Sequence, residues 1–291
     1  MNNLKQSYEV ILTVLRKVEQ KDNFLSQIRT PKLSDIELIA LVLTAEYLSI
    51  DSEYQLFRMM PEGIYGRIER SVFNRRKRKL FGIIEDIRTK IVNELVAFEN
   101  YMIVDSMPLE VCKLSRATRS KICRENYDSA PDKGYCASQK LHYFGYKLHA
   151  VSTLKGVFKS FEITKASVHD IHYLKNIKQE FEDCTIIGDK GYLSADYQID
   201  LFETKNINLE VPMRKNQKNY KPQSYIFKKS RKRIETLLSQ LCDQFMIRRN
   251  YAKTFDGFRT RLLAKLTSLT VIQYINHLNG RNINNIKISI S

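Results

Sequence analysis

The sequence predicts an α/β fold in which a mixed β-sheet is flanked by helices and preceded by an all-helical segment. Three observations predict it. Apolar residues recur at helical spacing through the first hundred residues. Near residue 101 the spacing shifts to a period close to two. Beyond that point three strand-like stretches are followed by alternating helical and strand-like ones.

The helical series opens with residues 4–18, whose apolar side chains fall on one face. Ser34 and Glu37 form the pattern of a capping box at the head of DIELIALVLTAEYLSI. DSEYQLFRMM follows, and Pro61 and Gly63 break the pattern after it. Residues 67–79 carry seven basic side chains (Arg67, Arg70, Arg75, Arg76, Lys77, Arg78 and Lys79) against Glu69. An amphipathic helix over 80–98 turns Leu80, Ile83, Ile84, Ile87, Ile91 and Leu95 to one side. The chain is therefore divided into a helical domain over 1–98 and an α/β domain over 99–291.

In the second domain YMIVDSMPLEVC is a short apolar strand that runs into an aspartate, and residues 140–166 read as a hairpin around Gly156. A helix is expected over 169–181, a buried strand in CTIIGDKGYL, a helix in SADYQIDLFETKN and a last strand in NLEVPMRK. Two helices close the chain, near 230–249 and 258–277, after a basic insertion over 211–230. The order β-β-β-α-β-α-β-α suits a mixed sheet covered by helices and is compatible with a ribonuclease-H-like fold.

Composition narrows the partners. With 48 Lys and Arg against 32 Asp and Glu, the formal net charge is +16, which points to a polyanion such as nucleic acid. The five cysteines (Cys112, Cys123, Cys136, Cys184 and Cys242) are scattered without a CxxC pair, against both a disulfide framework and a structural zinc. The start MNNLKQSYEV is too polar for a signal peptide, and the longest apolar run, near 36–45, is too short to span a membrane. A cytoplasmic protein with no membrane partner is expected.

Three acids stand out. Asp105 follows Met102-Ile103-Val104, and Asp189 follows Ile186-Ile187-Gly188 with Gly191 just after it. An ionised carboxylate in or at the end of a buried strand is costly unless it is paired or bound to a metal. If the two strands are neighbours, both acids project into the same space. Glu235 lies on the later helix, on a face shared with Arg231, Leu238 and Cys242. Each alone has an ordinary reading, as a turn former or half of an ion pair. Together in a basic chain they form a candidate phosphodiester site, where two hard divalent cations act on the attacking and leaving oxygens.

At DSMPLEVC, FGYKLHA, GDKGYLS and RKRIETLLSQL the sequence resembles the DDE transposases of bacterial insertion sequences, of the single-reading-frame kind. The resemblance covers most of the chain, and the four motifs are specific in this order. It implies a ribonuclease-H-like catalytic domain, with Asp105, Asp189 and Glu235 as the catalytic acids and ligands of Mg²⁺ or Mn²⁺, two ions per site. It also implies hydrolysis at the element's end followed by strand transfer to target DNA, and a homodimer in the DNA complex. One departure concerns the third helix, where many relatives carry Tyr, Arg, Glu and Lys on one face. Arg231 and Glu235 match, while Lys228 and Cys242 stand at the Tyr and Lys positions.

Other residues carry two readings each. Lys147 and His149 share a strand face, as phosphate contacts or as a surface Lys and a hydrogen-bonded His. His169 and Asp170 at a strand-to-helix junction read as helix capping first and as catalytic residues second. Residues 211–235 interleave nine basic residues with Tyr220, Tyr225 and Phe227, which suits backbone tracking and base stacking or a solvated loop. Residues 67–79 read as a recognition helix of a helix-turn-helix-like DNA-binding domain or as a non-specific face. The expected DNA contacts are Arg75, Arg76, Lys77, Arg78, Arg116, Arg119, Lys147, His149, Lys190, Arg214, Lys215, Lys228 and Arg231. Two other classes compete with the transposase: a catalytically silent DNA-binding protein of the same descent, and a metal-dependent structure-specific nuclease.

Overall fold

The computed structural model describes residues 4–96, 99–214, 216 and 220–288. The chain forms two compact units, 1–95 with 240–291, and 96–239.

The first unit is helical: α1 (Leu4–Val18), α2 (Asp35–Tyr47), α3 (Glu53–Met59), α4 (Arg70–Lys79), α5 (Phe81–Leu95) and the C-terminal α9 (Phe255–Leu278). The sequence set one boundary near 98; the structure instead joins the C-terminal 240–291 to the N-terminal helices. The reason is burial. α2 is buried from Asp35 to Glu46 apart from Glu37, and α9 is buried from Leu262 to Asn276. Helices apolar on all sides need cover on all sides, and these two cover each other. Ser268 of α9 donates to the Leu43 carbonyl at 2.9 Å, and Arg261 and Lys265 reach Glu46. The capping box forms as expected, Glu37 N–H to Ser34 Oγ at 3.2 Å and Ser34 N–H to Glu37 Oε2 at 2.8 Å. The link from α3 to α4, residues 60–69, is longer than the three or four residues of a helix-turn-helix turn.

The second unit is a ribonuclease-H-like mixed sheet with helices. Its strands are β1 (Tyr101–Cys112), β2 (Asp132–Cys136), β3 (Leu141–Thr153), β4 (Phe158–Lys165), β5 (Thr185–Ile187) and β6 (Asn208–Glu210). β3 pairs antiparallel with β1 on one side and with β4 on the other, and β5 and β6 extend the sheet in parallel beyond β1. The unexpected strand is β2. It shares the outer edge of β3 with β4, β2 on Leu141–Gly145 and β4 on Tyr146–Ser152. Only a glycine fits where the two meet, because a Cβ on Gly134 would lie 2.4 Å from the Ala166 carbonyl oxygen. With mostly exposed side chains, β2 has no apolar alternation to announce it.

The helices α6 (Leu174–Glu180), α7 (Ala195–Lys205) and α8 (Tyr225–Asp243) follow the expected order. The first begins as a 3₁₀ turn over Asp170–Tyr173. The helix expected at 230–249 runs instead from Tyr225 to Asp243, so the basic insertion gives up its last six residues to α8. Met102, Val104, Ile186 and Leu209 of the sheet pack with Leu174, Ile177 and Leu201 of the helices in one apolar cluster. That cluster holds β1 and β5 in the register on which the acids depend.

Candidate active site

β1 and β5 run parallel with Ile103 opposite Ile187. Asp105 and Asp189 are each two residues further along, and the backbone at Asp189 stays extended at φ −90° and ψ −177°. The two acids therefore lie beyond the same end of the paired stretch of these neighbouring strands, each two residues past the last registered pair. Period-two alternation puts Asp105 on the face of Ile103, away from Val104 and the apolar cluster.

The Asp105 carboxyl is pushed up to about 7, first by burial and then by the negative charges of Asp189 and Glu235. The Ser106 N–H, which donates to Asp105 Oδ1 at 2.8 Å, and the Arg231 guanidinium pull the other way. All three acids and Arg231 thus meet electrostatically at Asp105. Glu235 is the outermost, with its side chain 57% exposed and Arg231 4.0 Å away one helical turn earlier. Its exposure fits a group that turns to a charged ligand more than one that props up a core.

Asp189 accepts from the Gly191 N–H at 2.6 Å and so opens a 3₁₀ turn over Lys190–Tyr192. The sequence reads Gly191 as a turn glycine; the structure shows that space is its reason. A Cβ there would lie 2.9 Å from Asp189 Oδ1 and 3.1 Å from Asp170 Oδ2. Asp170 is thus brought beside the second acid, a place the sequence reading ranked below helix capping. The capping reading of His169 and Asp170 is corrected: His169 makes no side-chain cap bond. Asp170 Oδ1 instead accepts from Ser106 Oγ at 3.1 Å and pairs with Lys147 Nζ at 2.9 Å. Below them Tyr192 is fully buried and its hydroxyl has no partner among the described residues.

The expected DNA contacts divide. Arg75, Arg116, Arg119, Lys190 and Lys228 are exposed, and Arg78 and Arg231 are half-buried. Arg214 is exposed, and Lys215 lies outside the described residues. Four stand as corrections. Arg76 is buried, ion-paired with Asp35 and donating to the Leu33 carbonyl at 2.8 Å, so it secures the helical unit and faces no ligand. Lys77 is largely buried and bound to Glu53 at 2.7 Å. His149 is fully buried, hydrogen-bonded to Thr164 at 2.9 Å and stacked on Tyr173, and burial holds its pKa down at about 4. Lys147 is bound to Asp170 and to the Val168 carbonyl at 2.9 Å. Sequence spacing showed that these residues share a face, and not whether that face meets solvent.

As donors, the three acids suit hard divalent cations, being all carboxylate oxygen. Burial and like charge at Asp105 leave a deficit of positive charge that Arg231 only partly fills. The acids stand apart as placed: among the described residues no three His, Cys, Asp or Glu side chains are gathered closely enough to hold an ion.

Among the described residues no helix is long and apolar enough to cross a membrane. No curated protein and no solved structure gave a match. A family model described as the transposase DDE domain matches residues 97–271, a span that takes in β1, β5 and α8 with Asp105, Asp189 and Glu235. The chain belongs to the DDE transposases.

Proposed function

We propose that the protein is the DNA transposase of an insertion sequence, binding the element's terminal repeats, hydrolysing the phosphodiester at the element end and joining that end to target DNA. The observation that carries the chemistry is the register of β1 and β5, which aligns Asp105 with Asp189 while Glu235 and Arg231 act on the same carboxyl. When bound, a pair of Mg²⁺ or Mn²⁺ ions supplies activation of the attacking oxygen and stabilisation of the leaving one. Asp105, on which the charges of Asp189 and Glu235 both act, would hold both ions, with Asp189 and Glu235 each holding one. Arg231, half-buried beside Glu235, is suited to a phosphate oxygen next to the scissile bond. No side chain is assigned as a covalent nucleophile.

The exposed Arg116 and Arg119 follow β1 directly, and Lys190 follows Asp189, so all three flank the acids along the chain and suit backbone phosphates. Exposed Tyr225, one turn before Lys228 and Lys229 on α8, and exposed Tyr220, next to Lys221, offer stacking surfaces near cations. The helical unit, with exposed Arg75 and Lys79 on α4, is assigned to terminal-repeat binding. Joining two ends requires two copies, so a homodimer on DNA is part of this reading. Labelled element-end DNA tests it: nicking is expected with Mg²⁺ or Mn²⁺ and not with EDTA or with Asp105→Asn. Nicking that survives Asp105→Asn would remove the carboxylates from the mechanism.

A further inference from the structure

We propose that Asp170 is a positioning residue of the active centre, the counter-ion that cancels the Lys147 charge so that Asp105, Asp189 and Glu235 keep the negative charge a divalent cation needs. The inference rests on the metal reading of those three acids.

Lys147 lies on β3 opposite Pro108 of β1, and His149 lies opposite Ser106. All three side chains at Ser106, Lys147 and His149 share the face opposite Asp105. A largely buried ammonium stands there, its side chain 14% exposed, and it needs a fixed negative partner. Asp170 is that partner at 2.9 Å. His149 offers no charge of its own, since its ring is buried, bound to Thr164 and 3.9 Å from Asp170 Oδ1.

Two short paths connect this pair to the acids. Asp170 accepts from the Ser106 hydroxyl, and the N–H of that same residue donates to Asp105. On the other side, Asp170 Oδ2 and Asp189 Oδ1 both crowd the space where Gly191 lacks a side chain. Asp170 is thus linked to Asp105 through Ser106 and lies beside Asp189 across the space above Gly191. Counting Asp170, the region holds four carboxylates, with Lys147 paired to Asp170 and Arg231 acting on Asp105. Remove its charge and three remain against the same two cations, which halves the net negative charge. In the poorly screened interior of a sheet, a uncompensated ammonium one strand away acts directly against a bound cation. No local role explains the arrangement as well, because Asp170 caps no helix and Gly191 shows no positive φ that would require a glycine.

Mn²⁺ binding to the full-length chain, followed by the loss of the free-ion EPR signal, tests this without reference to activity. Wild type is compared with Asp105→Asn, Asp170→Asn and the double variant Asp170→Asn/Lys147→Met, each checked for folding by circular dichroism. The expected result is binding by wild type, loss in Asp105→Asn, and weakening on the order of tenfold in Asp170→Asn. Recovery to within about threefold of wild type is expected in the double variant, where acid and ammonium are neutralised together. The double variant has no unpaired buried charge, so it stays informative even if Asp170→Asn alone melts early. Wild-type affinity in Asp170→Asn overturns the inference while leaving the three acids as ligands. Weakening that the double variant fails to recover also overturns it, since Asp170 would then act through its own oxygens. Binding no tighter in wild type than in Asp105→Asn overturns the metal reading and this inference with it.

Discussion

At the scale of residues, charge and burial sort side chains that look alike in the sequence. Arg75 and Arg76 are adjacent and were expected to do the same work. Arg76→Ala leaves Asp35 buried and unpaired and is expected to cost about 3–5 kcal/mol in denaturant unfolding. Arg75→Ala, on the exposed side, should change stability by less than about 0.5 kcal/mol, and it should lower the salt slope of DNA binding by about one. Equal effects of the two on stability would contradict the assignment. His149 carries a signed prediction. Its folded pKa of about 4 lies below the ordinary 6.5, so its contribution is full above 6.5 and lost as pH falls toward 4. The melting advantage of wild type over His149→Phe should therefore shrink between pH 7 and pH 5. The candidate acids were legible at this scale because a carboxylate beside an apolar run is rare. Asp170 was not, because its partners come from β1, β3 and the Gly191 turn, which lie far apart in the chain.

At the scale of elements, most of the fold was readable where local pattern and tertiary demand agree. The Ser34 and Glu37 capping box was visible as a spacing and is present as two hydrogen bonds. Ser34→Ala should cost about 1 kcal/mol, measured by urea unfolding, and a loss below about 0.3 kcal/mol would mean that burial of α2 alone fixes its start. The hairpin β3–β4 and the strand β5 were legible through their alternation and their apolar runs. β2 was illegible because it is short, exposed and defined by a long-range edge on β3. The packing of α9 on the N-terminal helices was illegible for a related reason: an all-apolar helix announces burial without saying against what. The pairing of Arg261 and Lys265 with Glu46 and the Ser268 bond to Leu43 show its partner, far away in the chain.

At the scale of the whole molecule, the charge of +16 and the acidic centre pull in opposite directions, and both are needed by an enzyme that grips a polyanion and cuts it through cations. DNA affinity is expected to fall steeply between 50 and 200 mM salt, on the order of a thousandfold if six or so phosphates are neutralised. A shallow dependence, read by fluorescence anisotropy, would mean that few of these cations meet DNA. The most direct measurement of the central claim is strand joining by the purified full-length protein. Labelled element-end DNA and a plasmid target are incubated with Mg²⁺, Mn²⁺ or EDTA, with Asp189→Asn in parallel. Covalent joining of end to plasmid is expected, requiring the metal and lost in Asp189→Asn. Tight end binding with no cleavage or joining under either metal would contradict the central claim and leave a DNA-binding protein that keeps the fold without the chemistry.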